Sequence, residues 1–319
     1  MKILYLLFIM VCFVRANTLL PPSDFLGYKL GDKFTPHHLV VDYLFHVSQN
    51  EPNVKIIEYG KTYEGRPLML AFISSVDNMD KLEQIRKDNL TRAGIIKGST
   101  KTKKVGIVWL SYNVHGNEAN STEAAMKTLH ALADKSNINT QEWLKNTVVI
   151  IDPSVNPDGR DRYANWYRMT ANRWPDADPL GLEHMEPWPG GRTNHYYFDL
   201  NRDWAWQTQI ESQQRIIKYN EWLPHIHVDF HEQGYNSPYF FAPAAKPLHQ
   251  YITDWQRDFQ KTIGLNHAKY FDRNNWLYFT KESFDLLYPS YGDTYPTYNG
   301  AIGMTYEQAG HSRGGLAIE

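Results

Sequence analysis

Cysteine is almost absent from this chain, with a single residue, Cys12, among 319. It lies inside the apolar N-terminal segment, so the chain left after processing would hold no thiol and could form no disulfide. A lipid-anchored reading of Cys12 is disfavoured because Val11 stands where a small residue is expected. An excess of either charge is also missing. Lys and Arg total 33 against 35 Asp and Glu, a net charge of −2, which leaves no electrostatic footprint for nucleic acid or an anionic membrane surface. Long apolar runs are missing too. The run Ile3 to Val14 is too short to span a bilayer comfortably, and no later stretch qualifies. Internal repeats, low-complexity tracts and linkers are absent, which makes one domain the economical reading.

The N-terminus has the layout of a secretory leader. Lys2 supplies the charge, Ile3 to Val14 the apolar stretch, and Val14-Arg15-Ala16 the cleavage site. Residues 1–16 are therefore expected to be removed and residues 17–319 to form an exported domain, secreted or periplasmic, with no membrane insertion. Apolar residues make up 42% of the sequence, enough for a sizeable core. With 21 Tyr and 10 Trp, many C-terminal to Trp143 among polar residues, the composition also suits a wet, ligand-facing cleft.

Local patterns alternate between helix and strand. Thr35 and Pro36 read as an N-cap and first helical position, followed by Leu39, Val40, Tyr43, Leu44 and Val47 at helical spacing. His37, His38 and His46 on this helix read as surface or boundary histidines. Val54 to Tyr59 and Pro67 to Ser74 form a hairpin across Gly60 to Arg66. Asp80 to Asn89 reads as a charged helix, and Lys97 to Lys104 as a solvated connector. Asn117 to Lys135 is a small-residue helix, and Thr147 to Ile151 a strand buried on both faces. Asn156-Pro157-Asp158-Gly159 reads as turn formers at its end, and residues 160–203 as a long aromatic insertion of the kind that carries function. Ile210 to Leu223, with Thr208 as cap, and Tyr251 to Leu265 complete the helices. His225 to His231 and Ala301 to Tyr306 are the last strands.

The organising stretch is Val105 to Glu118. A β-branched, apolar strand breaks into a polar turn carrying His115 and Glu118, at the end of a strand, where α/β sheets present chemistry. An imidazole and a carboxylate converging on one cation suit Zn²⁺ better than Ca²⁺ or Mg²⁺, which favour oxygen alone. Affinity order and availability decide which first-row metal fills such a site. Two further strand ends carry candidate metal or catalytic groups, His231 and Glu307, and His231 is the best third ligand. His225 and His227 share the face of His231 but lie further back, and read as core or opposite-edge histidines satisfied by hydrogen bonds.

The chain resembles the zinc carboxypeptidases related to the digestive enzymes. The resemblance rests on Tyr63 to Leu68, His115-Gly116-Asn117-Glu118, Asn156-Pro157-Asp158-Gly159, Asp199-Leu200-Asn201-Arg202, the strand ending at His231, and Thr305-Tyr306-Glu307. It implies an α/β single domain with a mixed, largely parallel central sheet flanked by helices, its active site at the C-terminal ends of the strands. It implies one Zn²⁺ per chain, held by His115, Glu118 and His231, with Glu307 as general base and Asp199 bonded to the free nitrogen of His115. Arg168 is the expected transition-state arginine, with Arg173 as runner-up. Asn201 and Arg202 would bind a substrate carboxylate, and Tyr288 would stand over the site. Asp293 and Thr294 fall near the position that sets side-chain preference.

The resemblance thus implies an exported, bacterial-type metallocarboxypeptidase acting on peptide or protein C-termini. Family members continue past the base into a further helix, whereas this chain ends at Glu319, so a fragment of a longer protein is expected. An amidase for cell-wall or isopeptide substrates is the enzymatic alternative. An inactive binding module ranks lower, since every ligand and the base are present.

Overall fold

The computed structural model describes residues 18–174 and 176–310. The expected leader at residues 1–16 and the segment after Gly310 lie outside the described residues. The strands are β1 (Val54–Lys61), β2 (Pro67–Ile73), β3 (Gly106–Tyr112), β4 (Thr147–Asp152), β5 (Ile226–Gln233), β6 (Tyr239–Phe240), β7 (Ala245–Leu248), β8 (Tyr278–Phe279), β9 (Asp285–Leu286) and β10 (Ile302–Ala309). Eight of them form one sheet in the order β1-β2-β4-β3-β5-β10-β6-β8, and β7 pairs with β9 apart from it. At its centre β4, β3, β5 and β10 run parallel, with antiparallel β2 and β6 at the two flanks. This is the expected mixed α/β architecture.

The central strands are apolar on both faces because helices cover both. Met69, Ala71, Ile73, Val149 and Ile151 pack with residues of the helices His37–Asn50 and Asn120–Ala133. Their neighbours one residue along, Leu70, Phe72, Val148 and Ile150, join Ile107 and Trp109 under the helices Leu82–Arg92 and Ile210–Trp222. The period of two in the sequence is thus read out as two cores. Each fully buried Val, Leu or Ile contributes roughly 1.5–3 kcal/mol. Among the described residues no helix is long and apolar enough to cross a membrane.

Several boundaries differ from the pattern reading. The helix His37–Asn50 starts one residue late because Thr35 turns its hydroxyl to Glu123, at 2.7 Å, and Pro36 takes the N-cap place. Ile210–Trp222 starts after Gln209, because the Thr208 hydroxyl donates to Asp203. The largest difference is the helix Pro157–Thr170, which occupies the first quarter of the expected insertion. Asn156, read as a turn former, accepts from the Gly159 N–H and caps it, with Pro157 in the first turn. Asn and Pro favour turns and helix starts for the same local reasons.

His37 is also buried rather than at the boundary: it is 3% exposed, with Nε2 2.8 Å from the Pro67 carbonyl. Burial pushes its imidazole down to about 4. In the unfolded chain it titrates near 6.5, so between these values the unfolded state binds the proton first. Its contribution is whole above about pH 6.5 and lost as the pH falls toward 4, roughly 3 kcal/mol in all. Urea titrations of the zinc-free protein at pH 7 and 4.5 should show a smaller acid loss for His37→Asn than for wild type. Equal losses would contradict the assignment.

Candidate metal centre

β3 ends at Tyr112, and the chain reverses at Asn113, which has φ 61°. The Asn113 amide donates to the carbonyls of His115, Gly116 and Glu118 at 2.9, 3.2 and 3.0 Å, fixing the turn. Gly116 is required in it, since a β-carbon would lie 2.3 Å from Arg160 N and 2.4 Å from Gly191 O. The turn aims two side chains at one point. His115 Nδ1 lies 2.8 Å from Glu118 Oε1, and His231 Nδ1 lies 3.1 Å from Glu118 Oε2 and 3.2 Å from His115 Nδ1. His231 comes from the end of β5, where its register partner on parallel β10 is Glu307. The strand-end reading therefore holds for all four side chains.

The outer ring nitrogens carry the chemical argument. His115 Nε2 faces Asp199 Oδ1 at 3.2 Å, and His231 Nε2 faces Asp229 Oδ2 at 2.9 Å. A carboxylate accepts only, so each Nε2 carries the proton and each Nδ1 presents its lone pair inward. Two imidazole lone pairs 3.2 Å apart beside a carboxylate are a cation's donor set. Burial disfavours charge on both histidines, yet Glu118 and Asp199 raise His115, and Asp229 and Glu118 raise His231. The cluster asks for positive charge. His115, Glu118 and His231 form a group able to hold a metal ion, with ligand atoms within 4.8 Å of one another. The donor set fits zinc.

Asp229 was not among the sequence candidates. Its signal was available, because the period of two on β5 sets it on the face of His231. Asp199 is itself pinned by the Asn201 N–H at 2.9 Å and by Arg192, whose Nη2 donates to Oδ2 at 2.9 Å. Burial alone would raise Asp199, but the His115 bond and the charges of His115, Arg192 and Arg202 hold it below the usual carboxylate range.

A cavity of about 290 Å³ opens over the centre, lined by the three ligand candidates together with Arg192, Asn201, Arg202, Tyr291, Asp293, Thr305 and Glu307. Burial pushes Glu307 up to about 8, with His231 pulling against the rise. Arg202 stacks on Tyr291, 4.5 Å from the ring centroid. Asn201 Oδ1 accepts from Gly292 N at 2.7 Å, and the Ser290 hydroxyl donates to the Arg202 carbonyl at 2.8 Å, so this wall is tied together. Asp293 is buried, accepts from Thr305 at 2.8 Å and is raised to about 6 by burial.

Two sequence candidates lie elsewhere. Arg168 donates to the Phe34 carbonyl at 3.0 Å and is not in the cavity lining. The Tyr288 hydroxyl accepts from Trp206 Nε1 at 2.8 Å, while Tyr291 lines the cavity. Arg173 lies over the Trp174 ring. Of the two arginines that line the cavity, Arg192 is the one beside the ligand candidates, with Nη1 3.8 Å from Glu118 Oε1.

Fold and site together define an α/β protein with a His-Glu-His cluster able to hold a metal ion at its parallel strand ends. Residues 40–266 match the sequence model of the zinc carboxypeptidases, and the chain belongs to that family. No curated protein matches the sequence. Solved structures share the fold at low identity. A metallo-carboxypeptidase from Burkholderia cenocepacia superposes with a TM-score of 0.58 at 17% identity, covering 85% of this chain and 59% of that one. Carboxypeptidase A from Helicoverpa armigera gives 0.57 at 18%, covering 90% and 70%. Bovine thrombin-activatable fibrinolysis inhibitor, in complex with tick carboxypeptidase inhibitor, gives 0.57 at 14%, covering 91% of each chain. The chain spans about three-fifths of the Burkholderia protein.

Proposed function

We propose that this protein is an exported zinc-dependent carboxypeptidase that removes residues from the C-termini of peptides or proteins. The observation that carries the reading is the inward pair of Nδ1 atoms beside Glu118, with a buried carboxyl, Glu307, in register across from His231. Zinc, when bound by His115, Glu118 and His231, would supply Lewis acidity that polarises a carbonyl and acidifies water. Glu307 takes the proton from the attacking water and returns it to the leaving amine, a task suited by its raised affinity for protons. Asp199 and Asp229 hold the histidine tautomers. Arg192, rather than Arg168, is the cation beside the ligands and stabilises the developing oxyanion. Asn201 and Arg202, with Tyr291 under the guanidinium, receive the terminal carboxylate, because the planar fork of arginine matches it in two contacts.

The test pairs metal analysis with one peptide in two forms, free acid and C-terminal amide. About one zinc per chain is expected, together with cleavage of the free acid at least about tenfold faster than of the amide, with Arg202→Ala erasing that preference. Equal cleavage of both forms by wild type would sink carboxylate recognition and leave the amidase reading.

A further inference from the structure

The sheet face under the helix Ile210–Trp222 contains a second polar layer, sealed from solvent. Ser111 on β3 is in register with Asp152 on β4 and with Asp229 on β5, and all three are 0% exposed. Against this row lies Arg215, also 0% exposed, its guanidinium 3.9 Å from the Trp204 ring centroid. Among the described residues, none hydrogen-bonds to its Nε, Nη1 or Nη2. Asp152 commits Oδ2 to the Tyr59 hydroxyl, and Asp229 commits Oδ2 to His231, while Oδ1 of each, and Ser111 Oγ, have no partner among the described residues. His227, expected to be satisfied by hydrogen bonds, likewise has neither ring nitrogen bonded among the described residues. Arg215 is near enough to pull Asp152 down against burial and to depress His227 further.

A buried guanidinium left unpaired would forfeit a large part of a domain's net stability. The occupant that answers it must accept from Arg215 and donate to two carboxylate oxygens. An anion fails the second requirement and an ammonium-like cation the first. Water meets both, and buried water is held by two to four such contacts. The layer also borders the metal centre through one residue. Asp229 Oδ2 is hemmed in on the other flank by Gly292, where a β-carbon would lie 1.9 Å from it. Its orientation toward His231 is therefore set by Gly292 on one side and by the polar layer on the other.

We propose that internal water joins Arg215 to Asp152, Ser111 and Asp229, and that Arg215 acts through this layer as a positioning residue for His231. The positioning claim rests on the zinc reading above; the hydrated layer does not. High-resolution diffraction of the zinc-loaded protein should reveal ordered water bonded to both Arg215 and a carboxylate of the row. A direct Arg215–Asp152 pair without water would overturn the layer. In chelator competition, Arg215→Met should weaken zinc binding about 10- to 100-fold, as expected for loss of support behind a ligand. It should also shrink the zinc-induced rise in Tm. A purely structural role would lower Tm equally with and without zinc and leave affinity within twofold of wild type, which would overturn the positioning claim. If Arg215→Met does not fold, Ser111→Ala decides on the same two readouts. A few-fold weaker zinc affinity supports the proposal, and unchanged affinity rejects it. A wild-type protein that binds no zinc would reject the positioning claim with the functional reading, leaving diffraction to decide on the layer alone.

Discussion

Glu307→Gln is expected to retain about one zinc per chain while turnover of a C-terminally free peptide falls by roughly 10²–10⁴-fold, the range lost when a positioned general base is removed. The amide nearly matches the carboxyl in size, so packing around β10 is preserved. It cannot accept a proton from water at neutral pH. Glu307 is not one of the three clustered ligand residues, although its register partner is His231, so zinc content and activity should separate. Burial holds Glu307 up toward 8, whereas a nearby dication would draw it down. The acid limb of kcat/KM in the zinc-loaded enzyme should therefore lie below that value, and Glu307→Gln should remove the limb from any residual activity. Undiminished turnover in the variant would end the proposed mechanism.

The metal centre was legible because it depends on strand ends. Apolar runs ending in His115, His231 and Glu307 mark places where a sheet stops and polar side chains begin, and parallel neighbours bring such ends together. Asp199 was legible only through the family resemblance, and Asp229 through the alternation on β5. What remained hidden is set by tertiary packing. Tyr288 and Tyr291 carry the same chemistry three residues apart, and only the stacking of Arg202 separates them. Asn156 to Gly159 can begin a turn or a helix, and the helix Pro157–Thr170 draws Arg168 away to the carbonyl of Phe34. Arg215 sits on a helix of mixed polarity, where an arginine reads as a solvated residue. Its burial against Trp204 follows from a contact that no local pattern encodes.

Arg192 and Arg168 make opposed predictions. The resemblance puts the arginine shortly after Asn156 to Gly159, where the long insertion upsets the spacing. Arg192 lies close before Asp199, and the Asp199 bond carries it to the cavity. Its Nε and Nη2 are occupied by Asp199 Oδ2, at 3.2 and 2.9 Å, whereas Nη1 is 3.8 Å from Glu118, beyond a hydrogen bond and free to meet substrate. The Arg192 side chain is 38% exposed, so its guanidinium is reachable from the cleft. Arg192→Ala is expected to lower kcat about 10²–10³-fold, the loss seen when one oxyanion donor is removed, with a smaller change in KM. Because Arg192 also steadies Asp199 behind His115, zinc content must be measured alongside. Arg192→Lys keeps the charge but not the two-atom grip on Asp199, and should recover only part of the rate. Arg168→Ala should change kcat by less than about twofold, since its one hydrogen bond is to a backbone carbonyl away from the cleft. A large kcat loss in Arg168→Ala with normal zinc content, and none in Arg192→Ala, would return the oxyanion role to Arg168 and require the helix Pro157–Thr170 to move when substrate binds.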